Sequence, residues 1–134
     1  MSSTESLMAN CSLVSFRGFH HVQVAMPAGA EEEAERFYSG LLGLERVPKP
    51  EALAGRGGAW FRGPGVEVHL GVEQDFRPAR KAHPAFIVLG LDELKARLEG
   101  AGVELEAQPA LEGFRRFHAF DPFGNRLEFI EPEP

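Results

Sequence analysis

Residues 19–47, FHHVQVAMPAGAEEEAERFYSGLLGLERV, change period twice, and those changes decide the fold. Val22, Val24 and Met26 alternate with His21, Gln23 and Ala25 up to the break at PAGA, the period of two of a half-buried strand. Ala30, Ala34, Phe37 and Leu41 then recur at helical spacing. Glu31, Glu32 and Glu33 fall in the first turn, where the helix dipole favours negative charge, and Gly43 closes the helix.

Outward from this stretch, short strand patterns follow at 44–47, 58–62 and 66–71, separated by turns containing Pro and Gly. The unit reads βαβββ. After the charged connector EQDFRPARKA the pattern begins again. A strand at 84–88 precedes a helix with Leu91, Leu94, Leu98 and Ala101 on one face, closed by Gly102. Strands at 103–106, 114–120 and 126–131 complete it, the last two joined by the turn DPFGN. An offset of 59 lays Gly43-Leu44-Glu45 on Gly102-Val103-Glu104 and Val68-His69-Leu70 on Leu127-Glu128-Phe129, as an old duplication would. The expected fold is α+β: two βαβββ modules, about 18–72 and 83–132, with a mixed β-sheet and helices on the outer face. Together they make a single domain at 18–132 behind an N-terminal tail at 1–17.

The 134 residues suffice for one such domain with its own core. A net charge of −6 gives no basic footprint for nucleic acid. The lone Cys11 excludes an internal disulfide, and the start MSSTESLMANCSLVSF lacks the basic and apolar regions of a signal peptide. No stretch approaches the length of a membrane helix. A cytoplasmic protein with no membrane or nucleic-acid partner is expected.

Alternation assigns faces. The apolar sets Val22/Val24/Met26, Val66/Val68/Leu70, Pro84/Phe86/Val88 and Leu127/Phe129 mark the helix-covered side. His21, His69 or Glu67, His83 and Glu128 fall on the other side, at the first and last strand of each unit. In the duplication His69 stands opposite Glu128 and Glu67 opposite Arg126, which favours His69 as the ligand. Imidazole and carboxylate together suit one divalent metal ion, with Fe, Ni, Zn, Mn and Co not distinguished. Such a centre polarises a carbonyl or enediolate oxygen, or binds two neighbouring substrate oxygens. Glu67 is read as a second carboxylate orienting an imidazole, or as a general base.

FHHVQVAMP with AERFYSGLLGLE, then VEVHLGVE, HPAFIV and DPFGNRLEFIEP, resembles the vicinal oxygen chelate superfamily (glyoxalase, bleomycin resistance protein, extradiol dioxygenase) over residues 18–132. The resemblance implies a U-shaped sheet around a metal held by His21, His69, His83 and Glu128, with Glu128 also able to dissociate as a base. It further implies a homodimer with the site at or near the subunit interface. Bacterial-type glyoxalase I usually carries Glu or Gln where His69 stands. Two His plus Glu at His21, His83 and Glu128 resembles extradiol dioxygenases and fosfomycin-resistance thiol transferases.

A lone strand His is more often structural than a ligand; agreement of four in face and repeat position is what favours a metal. Gln23, Arg116 and His118 lie where they can line the substrate cavity, and the basic residues Arg77, Arg80, Lys81, Arg115 and Arg116 favour an anionic substrate if they border it. The leading function is a metal-dependent glyoxalase-like lyase or isomerase, or an extradiol-type dioxygenase, acting on a small oxygen-rich molecule. The alternative is a non-catalytic protein that sequesters a drug or metabolite in the same groove.

Overall fold

A computed structural model of the chain describes residues 13–134; Cys11 and most of the tail lie outside them. The strands are β1 (Val22–Met26), β2 (Glu45–Val47), β3 (Ala59–Gly63), β4 (Val66–Val72), β5 (Ala85–Ile87), β6 (Leu105–Ala107), β7 (Phe114–Phe120) and β8 (Arg126–Pro132). Helix α1 (Glu31–Glu35) follows β1, and α2 (Leu91–Gly100) follows β5. A 3-10 stretch, Glu51–Arg56, lies between β2 and β3. This is βαβββ twice.

The first helix differs from the expected regular α-helix. Beyond Glu35 it widens into a π-helical segment, Arg36–Leu41. Phe37 and Tyr38 are neighbours in sequence and both are buried, their rings 5.0 Å apart. The smaller angular step of a π turn keeps both on the core side, where an α turn would swing one away. Gly43 and Gly102, at φ +80° and +78°, end the two helical segments in the left-handed conformation that a Cβ disfavours.

Each module forms one mixed sheet, ordered β1-β4-β3-β2 and β5-β8-β7-β6. The outer pairs β1/β4 and β5/β8 are parallel; the rest are antiparallel. One apolar cluster joins the modules. Met26, Ala34, Phe37, Phe61, Val68 and Leu70 pack with Leu91, Leu94, Leu98, Leu127 and Phe129.

Polar ties cross the same boundary. Tyr38 donates its hydroxyl to Asp121 Oδ2 at 2.7 Å, and Asn125 Nδ2 donates to the Ala25 carbonyl at 2.8 Å. Asp121 Oδ1 meanwhile accepts the backbone N–H groups of Phe123 and Asn125, each at 2.9 Å. The DPFGN turn is therefore both a strand connector and a clasp between modules. Burial raises the Asp121 carboxyl, partly opposed by these donors. Burial and the neighbouring Asp121 push the Tyr38 hydroxyl well above its usual range.

No side chain near the start of α2 caps it, because Gly90 occupies the capping position. Glu131 of β8 takes that role, accepting from Gly90 N at 2.5 Å and Leu91 N at 3.2 Å, while Arg115 holds its other oxygen at 2.6 Å.

Candidate functional site

Register makes the two modules more alike than their sequences. Gln23 lies opposite His69 across β1/β4, and Ala85 lies opposite Glu128 across β5/β8. His21 and His83 thus stand at the same place, two residues ahead of the strand position that faces His69 or Glu128 on the neighbouring strand. In both modules this polar pair sits on the sheet face away from the apolar cluster.

In the second module the pair closes. His83 Nε2 is 3.0 Å from Glu128 Oε1, and its Nδ1 is 2.9 Å from the Lys81 carbonyl. A carbonyl only accepts, so Nδ1 carries a hydrogen; Nε2 faces the Glu128 oxygen, and it is the nitrogen that a bound ion would take in exchange for that hydrogen bond. Two further groups from β7 reach the same carboxylate oxygen: His118 Nε2 at 3.0 Å and Arg116 Nη1 at 3.3 Å. Burial by itself would raise the Glu128 carboxyl. The hydrogen bonds from His118 and His83 and the charge of Arg116 outweigh it, and Glu128 is held below the usual carboxylate range.

His83, His118 and Glu128 offer ligand atoms within 4.8 Å of one another, the only such group of three among the described residues. Glu128 and His118 are buried and His83 is partly exposed, so the cluster opens to solvent on the His83 side. Two imidazoles and one carboxylate suit a divalent transition metal. His83, with its second nitrogen on a backbone carbonyl, has the outer support that metal-binding imidazoles ordinarily have.

In the first module the pair stacks instead. The rings of His21 and His69 lie 4.0 Å apart at 18°, and Trp60 of β3 covers the same His69 at 3.7 Å and 1°. His69 Nε2 is 2.8 Å from Glu67 Oε2, whose other oxygen accepts from Arg62 Nε at 3.0 Å. These two hydrogen bonds lower Glu67 from its usual value. Burial lowers His69, although the Glu67 hydrogen bond works the other way.

The chain therefore brings His83 together with Glu128, and His21 together with His69, in two clusters. His21 and His69 are outside the three-residue group. His118 and Arg116, read from the sequence as cavity-lining, both touch Glu128. Gln23 is exposed on β1, its amide seated over Gly71, where a Cβ would come within 2.6 Å of it. Arg115 does not join the cluster, because it is bound to Asp92 and Glu131. Sequence reasoning missed Trp60 and the Lys81 carbonyl. Trp60 pairs directly with His69 across β3/β4, a cross-strand relation visible only once register is known.

Comparison with known proteins agrees with the geometry. The family model described as the Glyoxalase/Bleomycin resistance protein/Dioxygenase superfamily matches residues 18–129. A glyoxalase family protein of known structure from Bacillus anthracis is 49% identical, covers 91% of this chain and 100% of its own, and superimposes with a TM-score of 0.86. An integron cassette protein from the Halifax Harbour sewage outfall metagenome is 25% identical over 87% of this chain and 99% of its own, with a TM-score of 0.70. The fosfomycin resistance protein FosX from Listeria monocytogenes shares the fold at 16% identity, covering 89% of this chain and 96% of its own, with a TM-score of 0.70. A search among curated proteins returns no match.

Proposed function

Since the chain belongs to the glyoxalase/bleomycin resistance protein/dioxygenase superfamily, we propose that it is a metal-dependent enzyme acting on a small, oxygen-rich, anionic substrate. The observation that carries this reading is the buried Glu128 carboxylate beside His83, whose Nδ1 is committed to a backbone carbonyl. His83 Nε2 and Glu128 would hold the ion, with His21 and His69 as the further protein ligands. A bound divalent ion would supply Lewis-acid chemistry, polarising a substrate carbonyl or enediolate oxygen.

The chain's own groups supply the rest. Arg116, with only 16% of its side chain exposed, presents a fixed guanidinium beside the ligand cluster, suited to a carboxylate or phosphonate oxygen. His118 and Gln23 line the same faces. Glu67 orients His69 through the 2.8 Å contact; both of its oxygens are engaged, which favours this orienting role over that of a free base. A FosX variant has been solved with Mn(II) and 1S,2S-dihydroxypropylphosphonic acid, which makes Mn(II) the first ion to try here.

His21 and the His83/Glu128 pair belong to different clusters of one chain, and this favours a homodimer. A two-fold axis that sets the first module of one copy against the second module of its partner would unite His21 and His69 with His83 and Glu128, twice over. A second reading, a binding protein without catalysis, draws on the parallel Trp60/His69/His21 stack, an aromatic surface fit for a planar ligand.

Metal content decides between them. Elemental analysis of unchelated protein, before and after loading with Mn(II), Ni(II), Zn(II) and Fe(II), is expected to give about one transition metal per chain, lost in His83→Ala. No metal after loading would leave the binding protein as the better reading. Iron would direct assays to dioxygenation, and nickel or zinc to isomerisation.

A further inference from the structure

Glu128 is approached at one oxygen only. Three side chains, His83, His118 and Arg116, converge on Oε1, and among the described residues no hydrogen bond engages Oε2. A glutamate side chain has several rotatable bonds, so the oxygen it offers and the direction it offers it in are set by what holds the other one.

His118 is the strongest of these holds. It stands directly opposite Glu128 across the antiparallel β7/β8 pair, on strands bonded to neighbours on both sides. Both residues are buried, so water does not compete for the 3.0 Å contact. The carboxylate oxygen only accepts, so His118 Nε2 carries the hydrogen. Its Nδ1 is buried and makes no hydrogen bond among the described residues. A bare lone pair is the cheaper group to leave unpaired there, because an N–H would forfeit a donor bond in a dry site. The ring is therefore a one-directional donor whose hydrogen bond goes to Glu128, with the His83 ring 4.8 Å away.

We propose that His118 is a positioning residue: its Nε2–H, seconded by Arg116, pins Glu128 through Oε1 so that Oε2 is presented to the metal. This rests on the reading of Glu128 as a ligand. His118 does not ligate in this reading: unlike His83, whose side chain is 27% exposed, it is buried, with its Nδ1 enclosed and its Nε2 on the carboxylate.

The experiment compares wild type, His118→Leu and His118→Gln. Leucine removes the donor and roughly keeps the bulk; the glutamine amide can place an N–H where Nε2–H stood. Mn(II) affinity is read by electron paramagnetic resonance and fold integrity by thermal melting of the metal-free proteins. His118→Leu is expected to weaken Mn(II) about 10- to 100-fold, the usual cost of losing an outer hydrogen-bond partner, and His118→Gln to recover most of it. Unchanged affinity in His118→Leu overturns the proposal. So does failure of His118→Gln to rescue, which would make the imidazole itself a ligand. If wild type binds none of Mn(II), Ni(II), Zn(II) or Fe(II), the metal reading fails, and histidine ¹⁵N NMR of the metal-free protein still tests the pin. An Nε2–H tautomer at His118 that loses its exchange protection in Glu128→Ala supports it, and an Nδ1–H tautomer overturns it.

Discussion

His83 and Glu128 meet at 3.0 Å across a parallel strand pair, 45 residues apart in sequence, with the imidazole tethered from behind by the carbonyl of Lys81. This is an oriented pair, and under the proposed metal role its loss is expected to separate metal binding from folding. Glu128→Gln keeps the shape and removes the charge. It is expected to weaken Mn(II) by more than about 100-fold, beyond the cost typical of an outer partner, while the metal-free protein still melts cooperatively. Isothermal titration with Mn(II) and a thermal melt read the two effects. Global unfolding would contradict the placement of Glu128 on the open face.

The proposed dimer predicts complementation. On that reading, His21→Ala and Glu128→Ala homodimers would each lack a ligand in both sites. If the sites form across a dimer, mixing the two after reversible dissociation gives heterodimers with one intact and one doubly altered site, so about a quarter of all sites recover metal. Sites built within one chain would recover nothing.

His69 gives the fold a pH dependence. Burial lowers its pKa in the folded protein, so between the folded value and the unfolded value of about 6.5 the unfolded chain binds more protons. Stability is then complete above about pH 6.5 and falls as the solution is acidified through that window. Melting of metal-free wild type between pH 7.5 and 5.5 is expected to fall more steeply than that of His69→Gln. Glu128, also lowered, adds a loss below its unfolded value of about 4.3, present in wild type and absent in Glu128→Gln.

The clasp between modules has a measurable worth. Tyr38→Phe removes one buried hydrogen bond to Asp121 and leaves Asn125 Nδ2 at 3.0 Å on the same oxygen, for a loss of about 1–2 kcal/mol. Asn125→Ala removes bonds to Ala25, Ala79 and Asp121 at once and is expected to cost about 2–4 kcal/mol. Urea denaturation gives both. No loss in either variant would show that the modules are held by the apolar cluster alone.

Gly58 is a backbone requirement. It sits at φ +85°, and a Cβ there would fall 2.1 Å from the Leu70 carbonyl oxygen on the neighbouring strand. Gly58→Ala is expected to destabilise by at least about 1–3 kcal/mol and to disturb β4, which carries Glu67 and His69. Circular dichroism melts test this. Gly65→Ala, also at positive φ but with open space around it, is expected to cost less.

Alternation and helical spacing are local, and they were enough to read both βαβββ units. Seven of the eight strand patterns are displaced by a residue or two at an end, while 114–120 coincides with β7. The ends moved because they depend on cross-strand hydrogen bonds made by distant segments. The widening of α1 was not legible, since it answers to the burial of both Phe37 and Tyr38 against a core contributed partly by the second module.

The sequence by itself determined the faces: a side chain's side of a strand follows from parity, so His21, His69, His83 and Glu128 were bound to share the polar side once their strands formed. It also determined the turns, because Asp, Gly and Asn carry their own backbone preferences. Only the tertiary structure decided which of these groups meet. The 3.0 Å contacts of Glu128 with His83 and His118, the stacking of His69 between Trp60 and His21, and the capping of α2 by Glu131 all follow from strand order and register. Those are set by the joint burial of two apolar faces rather than by any local run of residues.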